Sequence, residues 1–408
     1  MTKRLILPSL TLVALLAAPY AGAQVLQGVS LFEVHCASCH AGPTDERTPT
    51  TAALRQLTPE AVLATLTTGA MEVQASELQD SQKRLVAEFV AGAPLGSARA
   101  GDASTMPNPC AAEPFDDPFS GPMWNGWGVD ASNGRFQSAE AAGLTAEQVP
   151  DLTLKWAFGF PNGSSAYSQP TVVGGRVFVG SDVGYVYSLD TETGCVHWSF
   201  QAQAGVRTAI SIGSVTGVGA ARHAAYFGDV AANVYAVDAA TGSLLWTQVA
   251  DAHPIARITG APTLVEGRLY VPVSSLEEAA GADPMYQCCS FRGAVVAYDA
   301  STGEQIWKGY TIPNEARPSG TNSVGTQLWA PAGAATWSSP TVDLKRGAVY
   351  AAIVLSVKLP EAHAAIVPGW VIDWIISHVT GQIFTVRNNE VFLMSQPRPV
   401  RSAHRSEG

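Results

Sequence analysis

Cys36, Cys39 and His40 have the residue types and the spacing of a covalent haem site. They belong to the run Cys-Ala-Ser-Cys-His, and C-x-x-C-H is the attachment signature of c-type haem. In such a site the two thiols add to the porphyrin vinyl groups and the adjacent imidazole binds the iron. Half of a zinc site and a redox pair are the alternatives, but no second cysteine pair lies within zinc-ribbon distance. We therefore predict haem c.

The sixth iron ligand should come from a loop that folds back over the haem. Met71 lies between two amphipathic stretches, the first of which begins with Thr58 and Pro59. Thr is a favourable N-cap, and Pro is favourable at the first helical position. Met106, in a proline-rich stretch, is the alternative ligand, and His/Met ligation raises the haem potential. We predict Met71 as the ligand, in a small all-α cytochrome c domain over residues 24–93.

The composition limits what kind of protein must position these residues. The chain has 408 residues, of which 47% are hydrophobic and 14% are charged, and its formal net charge is −10. This length allows two or three domains with a sizeable core. The low charged content argues against intrinsic disorder, and the negative charge argues against a nucleic-acid partner.

Residues 1–23 have the features of a signal peptide. Lys3 and Arg4 precede an apolar run from Leu5 to Ala18, and Ala21-Gly22-Ala23 is an A-x-A cleavage site. The apolar run is too short for a membrane-spanning helix, and no later stretch is long enough either. A membrane anchor is the alternative. We predict export to the periplasm, a mature chain from Gln24, and no membrane span.

A repeat occupies the C-terminal part of the chain. The frame Asp-x-x-Thr-Gly-x-x-x-Trp occurs at Asp190–Trp198, Asp238–Trp246 and Asp299–Trp307, each time after a glycine-flanked pair of short strands. Short strands that recur every ~40–50 residues are typical of propeller blades. The Asp closes the Thr-Gly turn, the Gly supplies a positive φ and the Trp packs between blades, so these residues are structural. We predict an all-β propeller over residues 121–352, after a linker at 94–120.

The repeat frame resembles the blade motif of the pyrroloquinoline quinone (PQQ) dehydrogenases, over about residues 30–352. The order of an exported cytochrome followed by a propeller is similar to that of the polyvinyl alcohol dehydrogenases. Trp124-Asn125-Gly126-Trp127-Gly128 and Asn133-Gly134-Arg135-Phe136 are similar to that family's entry into the propeller. The resemblance implies haem c, PQQ and Ca²⁺ as cofactors.

Four cysteines lie outside the haem motif. Cys288 and Cys289 are adjacent, and in an exported protein they can close an eight-membered disulfide ring. The resemblance implies that this ring stacks on one face of PQQ, although the pair lies in a later blade than in methanol dehydrogenase. Two packed thiols are the alternative. By elimination, Cys110 and Cys195 remain as a bridge from the linker to the first complete blade.

The resemblance also implies the other contacts of the PQQ ring. Trp337 matches the position that covers the opposite face of PQQ, and Ser274 matches a hydroxyl contact in the strand that precedes the metal ligand. Arg207 and Thr259 match positions that bind the carboxylates and the quinone edge, for which arginine offers a bidentate fork. A purely structural role is the alternative for each of these residues.

The match to the family ends near residue 352. The resemblance implies that Ca²⁺ is held by Glu277 and by an Asn after the strand Ala348–Ala352. Glu278 competes with Glu277 for this role, and a solvated acidic loop is the alternative. The sequence continues there as Ile-Val-Leu-Ser-Val, and no further repeat frame follows. The family's catalytic Asp has no match here. Residues 353–408, which include an apolar run at Ile366–Ile376, are predicted to be an anomalous tail, as a frameshift would give; a genuine different extension is the alternative.

Together these features predict an incomplete propeller, about four blades of a larger ring, behind a cytochrome c domain. The implied function is a periplasmic quinohaemoprotein dehydrogenase that oxidises secondary alcohol groups, such as those of polyvinyl alcohol. Electrons would pass through the haem to an external acceptor such as a soluble cytochrome c. We predict that this chain is catalytically incomplete. A dehydrogenase for small alcohols or sugars and a non-catalytic propeller scaffold are the alternatives.

Overall fold

The computed structural model describes residues 18–41, 48–55, 57–97, 101–163, 165–353, 382–387 and 390–394. Within these ranges the N-terminal helices are α1 (Ala18–His35), α2 (Ala37–His40), α3 (Thr51–Leu54), α4 (Pro59–Thr67) and α5 (Asp80–Ala91). No helix in the described ranges is long and apolar enough to cross a membrane. Most of the predicted signal peptide lies outside the described residues, and cleavage before Gln24 stays a prediction.

The N-terminal helices begin and end as their sequence predicts. Thr58 caps α4, because its hydroxyl accepts a hydrogen bond from the backbone N–H of Ala61 at 3.1 Å. Pro59 is the first residue of α4, and α5 is followed by Gly92 in the left-handed conformation. The helices and the loop before α5 enclose one apolar core, formed by Phe32, Val62, Leu66, Ala75, Leu78, Val86, Ala87 and Val90. The predicted small all-α cytochrome domain is confirmed.

The part of the chain that follows the linker, as far as the structure describes it, forms three four-stranded sheets, one five-stranded sheet and a two-stranded hairpin, all antiparallel. Sheet 1 comprises β1 (Thr171–Val173), β2 (Arg176–Gly180), β3 (Tyr185–Asp190) and β4 (Val196–Gln201). Sheet 2 comprises β5 (Ser211–Ser214), β6 (His223–Gly228), β7 (Asn233–Asp238) and β8 (Leu244–Val249). Each strand pairs with its sequence neighbour, as in a propeller blade.

Sheet 3 carries two additions. Its main strands are β10 (Thr263–Val265), β11 (Arg268–Ser275), β12 (Ala294–Asp299) and β13 (Gln305–Tyr310). The short strand β9 (Ala256–Arg257) pairs with the end of β11, and the short helix Glu277–Ala280 follows β11 directly. A separate hairpin, β14 (Arg317–Thr321) with β15 (Gln327–Ala330), follows sheet 3. The predicted cofactor contact Ser274 lies on β11, directly opposite β9.

Sheet 4 comprises β16 (Thr341–Asp343), β17 (Ala348–Ile353), β18 (Gln382–Arg387) and β19 (Glu390–Met394). Its last two strands come from the region that the sequence treats as a tail, whereas the apolar run Ile366–Ile376 lies outside the described residues. The predicted blades are confirmed as four sheets of an all-β propeller, and no closed ring forms among the described residues. The domain boundaries, including an anomalous tail from residue 353, stay predictions.

The repeat frame joins sheet 1 to sheet 2 and sheet 2 to sheet 3. The indole N–H of Trp198 donates to the Ala239 carbonyl at 3.0 Å, and its ring lies against Gly242. Gly242 has a φ of 75°, and a Cβ there would lie 2.8 Å from the indole of Trp198, so only glycine fits. Trp156 and Trp246 make the same contacts with the turns after β3 and β12. The predicted structural role of the frame is confirmed.

The linker is bonded to sheet 1. Cys110 and Cys195 form a disulfide, which confirms the pairing inferred by elimination. The backbone N–H of Ala103 donates to the Ser199 hydroxyl at 2.8 Å. The cytochrome domain also pairs directly with the propeller through one backbone bridge, from Leu57 to Ala204.

Residues 124–135 connect the first and last sheets. Trp124 pairs with β1, and the Asn125 side chain exchanges two hydrogen bonds with the backbone of β5, at 2.7 and 2.8 Å. The Asn133 amide donates to the Ser339 carbonyl at 3.1 Å, next to β16. The four sheets do not close into a ring among the described residues, and this segment helps to hold them together.

Candidate functional site

Cys36, Cys39 and His40 lie on one short helical turn. The backbone N–H groups of Cys39 and His40 both donate to the Cys36 carbonyl, at 3.1 and 3.0 Å. Neither cysteine is in a disulfide, and burial together with the neighbouring Cys39 thiol raises the pKa of the Cys36 thiol. One segment therefore presents two free thiols and an imidazole, as covalent haem attachment requires.

The His40 ring is buried and held by a single hydrogen bond. Its Nδ1 lies 2.8 Å from the Pro49 carbonyl oxygen. Because a carbonyl only accepts, Nδ1 carries a proton, and Nε2 is the ring nitrogen that is left to bind a metal. Metal-binding histidines usually make a contact of this kind with their second nitrogen. The residues present therefore fit a haem whose iron is bound by His40.

The two candidate sixth ligands lie in different domains. Met71 is half-buried and packs against the same apolar core as Cys36. Met106 packs against the core of sheet 1, beside Tyr185 and Tyr187. This placement favours Met71 over Met106, and the ligand assignment stays a prediction.

Three of the predicted PQQ contacts meet at the end of β11. The hydroxyl oxygens of Thr259 and Ser274 lie 3.0 Å apart, and the Thr259 hydroxyl also lies 3.4 Å from the Trp337 carbonyl. Ser274 is fully buried and donates to the Arg257 carbonyl at 3.1 Å. The pairing of β9 with β11 sets Arg257 directly opposite Ser274. The sequence-predicted residues therefore form one connected group.

The predicted vicinal disulfide lies beside this group. Cys288 and Cys289 are bonded to each other and half-buried. The backbone N–H of Trp329 in β15 donates to the Cys288 carbonyl at 2.8 Å. Gly281, directly after the helix Glu277–Ala280, packs so closely that a Cβ there would lie 2.8 Å from the Cys288 sulfur. One short helix thus connects the end of β11 to the disulfide.

Arg257 is a site residue that sequence reasoning missed. Its side chain is buried, yet its Nε has no hydrogen-bond partner among the described residues. Burial, and secondly the charge of Arg207, lower the pKa of Arg257 to about 10, against a smaller opposing effect of Glu278. Arg207 is half-buried and lies over the Tyr167 ring, at 5.2 Å. The sequence feature that could have identified Arg257 is its position inside the apolar run Ile-Ala-Arg-Ile.

The two adjacent glutamates differ in their surroundings. Glu277 is buried, and its carboxylate accepts hydrogen bonds from the backbone N–H groups of Ser290 at 2.7 Å and Phe291 at 2.9 Å. The Tyr286 hydroxyl lies 3.3 Å from the same carboxylate. Glu278 is exposed and interacts with the charge of Arg257. Glu277 therefore fixes the segment after the disulfide, whereas Glu278 is the carboxylate that interacts with the charge of Arg257.

The donors and surfaces of this group fit a flat, tricarboxylated quinone. Two guanidinium groups provide positive charge for carboxylates, and buried hydroxyls provide polar contacts at an edge. The disulfide and the indole of Trp337 are the surfaces predicted to cover the two faces. No cluster of three His, Cys, Asp or Glu residues that could hold a metal occurs in the described ranges, so a calcium ion would take further ligands from carbonyl, amide or water oxygens.

Comparisons with known proteins agree with both parts of the chain. The family model described as glucose/ethanol/alcohol dehydrogenase, beta-propeller domain (PQQ), matches residues 124–357. The family model described as cytochrome C oxidase, cbb3-type, subunit III, matches residues 23–90. The two matches correspond to the sheets and to the N-terminal helices.

Two curated relatives match across both parts of the chain. The polyvinylalcohol dehydrogenase of a Pseudomonas species is 39% identical over 355 residues, which cover 84% of this chain and 55% of the relative. The polyvinylalcohol dehydrogenase of Sphingopyxis sp. (strain 113P3) is 37% identical over 340 residues, which cover 80% of this chain and 51% of the relative. The chain thus spans about half the length of these curated relatives.

Among solved structures, the quinohemoprotein alcohol dehydrogenase from Comamonas testosteroni aligns with 67% of this chain and 40% of its own chain. The TM-score is 0.45 and the sequence identity is 21%.

Proposed function

The chain belongs to the PQQ family of glucose, ethanol and alcohol dehydrogenases, and from this premise we propose that it is a periplasmic quinohaemoprotein dehydrogenase for secondary alcohol groups. Polyvinyl alcohol is the proposed substrate, because two relatives that match both parts of the chain are named for it. Electrons leave through haem c to an external acceptor such as a soluble cytochrome c. The proposal gives the cytochrome domain and the propeller one shared task.

One observation carries the proposal. A single chain holds a haem attachment turn, with two free thiols and a His40 Nε2 left to bind a metal, and a buried group in which Thr259 and Ser274 lie 3.0 Å apart beside an unpaired Arg257 side chain. A scaffold propeller needs neither feature. A quinohaemoprotein dehydrogenase needs both, because its electrons pass from a quinone to a haem.

PQQ, when bound, supplies the two-electron oxidation of the alcohol. The residues of this chain bind and orient it. Arg207 and Arg257 bind its carboxylates, and the hydroxyls of Thr259 and Ser274 hold one edge at a fixed distance. The disulfide Cys288–Cys289 and Trp337 would pack against it and exclude water. His40, together with Met71, sets the potential of the haem that receives the electrons.

Calcium has the least support among the proposed cofactors. Both oxygens of the predicted ligand Glu277 accept hydrogen bonds from backbone N–H groups. The second family ligand, an Asn after Ala352, has no match in the sequence. Among the described residues Glu277 is therefore the single predicted Ca²⁺ ligand, and we propose no step that depends on the metal.

Reduction of the haem by quinol tests the proposed function. Chemically reduced PQQ is added to the purified, haem-loaded chain, and haem absorbance is followed. We expect the rate to saturate with quinol concentration, because reduction occurs inside a complex. A simple c-type cytochrome without a propeller is the control, and its rate should rise linearly. A linear dependence for this chain as well would contradict the proposal.

The substrate class is tested with the residual turnover of the same protein. A secondary diol, a primary alcohol and a sugar are compared at equal concentration in the presence of PQQ. We expect the secondary diol to reduce the haem fastest. A preference for the sugar or the primary alcohol would favour the alternative, a dehydrogenase for small alcohols or sugars.

A further inference from the structure

Arg257 lies at a point where the backbone is fixed from three directions. The Ser274 hydroxyl donates to its carbonyl at 3.1 Å. The next residue, Ile258, donates its backbone N–H to the Asp229 carbonyl at 3.0 Å, in sheet 2. On the other side, the backbone N–H of Leu276 donates to the Ile255 carbonyl at 3.3 Å. The arginine is therefore held in place by sheets 2 and 3 before any ligand arrives.

The side chain of Arg257 lacks the hydrogen-bond acceptors that a buried charge normally has. It is only 4% exposed, and none of the described residues accepts a hydrogen bond from its guanidinium group. A guanidinium carries five N–H donors in a rigid fork. A buried charge without a partner is strongly unfavourable, so such groups are normally paired. The free fork indicates that its acceptor is a ligand.

A second cationic side chain near Arg257 indicates the sign of the charge on that ligand. Arg207 lies close enough for its charge to disfavour the protonated form of Arg257. Arg207 also has no carboxylate partner among the described residues, and its only described contact is the Tyr167 ring. The carboxylate that opposes this effect on the pKa of Arg257, Glu278, is exposed. Two neighbouring guanidinium groups with one exposed carboxylate favour a ligand with more than one negative charge.

We infer that Arg257 and Arg207 form a two-arginine clamp for a flat aromatic polycarboxylate, in which Arg257 is the buried half that fixes the orientation of the ligand. This rests on the proposed function for the identity of the ligand as PQQ. The Ser274 hydroxyl bonds to the Arg257 carbonyl and lies 3.0 Å from the Thr259 hydroxyl, so the carboxylate that Arg257 binds lies close to these two hydroxyls. Arg207, which is half-buried, binds a second carboxylate nearer the solvent.

Binding to the haem-loaded full chain tests this inference, in the absence of added Ca²⁺. Isothermal titration calorimetry measures the affinity for PQQ and for trimesate, a flat aromatic tricarboxylate without a quinone. We expect Arg257→Met to lower both affinities about 10- to 100-fold, because a hydrogen-bonded charge pair is lost. Arg257→Lys should show a smaller loss, since lysine keeps the charge without the fork. Arg268→Met removes an exposed arginine from β11 and should leave both affinities unchanged.

Stability without ligand separates a binding role from a structural role. If the role of Arg257 is to bind the ligand, the Arg257→Met variant should unfold at the same urea concentration as the wild type or at a higher one. The reason is that the substitution removes a buried, unpaired charge. A less stable Arg257→Met variant with wild-type affinity would overturn the inference. Should this variant fail to fold, Arg257→Lys decides the question, and an affinity equal to that of the wild type would overturn the clamp.

The two probes distinguish the clamp from the proposed cofactor. Binding of trimesate that depends on Arg257, without binding of PQQ, would support the clamp and contradict PQQ as its ligand. Binding of PQQ that is equal in Arg257→Met and wild type would support the cofactor and overturn the clamp. A wild-type chain that binds neither compound would overturn both.

Discussion

The Nδ1 atom of His40 lies 2.8 Å from the carbonyl oxygen of Pro49, so the imidazole has its second nitrogen free for iron. This contact fixes the tautomer and the orientation of the ring before haem is attached. A sixth iron ligand would have to come from another segment of the chain.

The sixth haem ligand can be identified with two methionine variants. Met71→Ala should shift the reduced haem spectrum and lower the reduction potential, because Met71 packs against the same core as Cys36 and His/Met ligation raises the potential. Met106→Ala is the matched control, since Met106 packs against sheet 1. Absorption spectra and a redox titration measure both effects. A normal spectrum for Met71→Ala would rule out this ligand.

Catalysis by this chain alone should be weak. With PQQ and Ca²⁺ added, we expect little or no alcohol-dependent reduction of an artificial acceptor. The reason is that no residue matches the family's catalytic Asp or the Asn expected after Ala352. Steady-state assays beside a polyvinylalcohol dehydrogenase provide the comparison. Comparable turnover would show that this chain carries catalytic groups that we have not assigned.

Two repeat tryptophans should differ in their effect on stability. Trp246 lies against Gly303 and donates to the Ala300 carbonyl at 2.9 Å, whereas Trp307 makes no such contact with a following turn among the described residues. We expect Trp246→Ala to lower the free energy of unfolding by about 3–5 kcal/mol. Trp307→Ala should cost clearly less. Urea unfolding followed by circular dichroism measures both, and equal losses would contradict the role of the turn contact.

Glu277 and Glu278 should have separable roles. Glu277→Gln should lower the free energy of unfolding by about 1–3 kcal/mol, because one backbone N–H loses its carboxylate acceptor. Glu278→Gln, at an exposed position, should change stability by less than about 0.5 kcal/mol. Urea unfolding and a calorimetric Ca²⁺ titration are run on both variants. Loss of a Ca²⁺ site in Glu277→Gln at unchanged stability would instead support the original calcium assignment.

Alkaline pH should destabilise the fold through its buried tyrosines. Burial, and secondly Asp102 and Glu60, raise the pKa of Tyr185 to about 12, above its unfolded value of about 10. Since the unfolded chain loses this proton first, the stabilising contribution is complete below pH ~10 and is lost as the pH rises towards 12. Tyr185→Phe should therefore unfold at higher pH than the wild type. Tyr167→Phe, at an exposed site, is the control, and the absorbance of ionised phenol with circular dichroism reports the transition.

The sequence by itself determined the features that depend on neighbouring residues. The haem turn needs only the five residues from Cys36 to His40, because one helical turn brings them together. The blade frame is equally local, since Asp190 accepts hydrogen bonds from the backbone N–H groups of residues two and three positions later. Helix caps such as Thr58 follow the same rule. These contacts depend on spacing along the chain, which the sequence contains.

Only the tertiary structure decided which residues come together at the candidate cofactor site. Arg257 becomes a site residue because β9 pairs with the end of β11, which sets it opposite Ser274, and because Arg207, fifty positions earlier, lies close to it. Glu277 and Glu278 have the same chemistry and adjacent positions, yet one carboxylate meets the backbone of Ser290 and the other remains exposed. Burial and the distance between charges arise from strand pairing and from the packing of neighbouring sheets. Residue types and spacing alone do not contain that information.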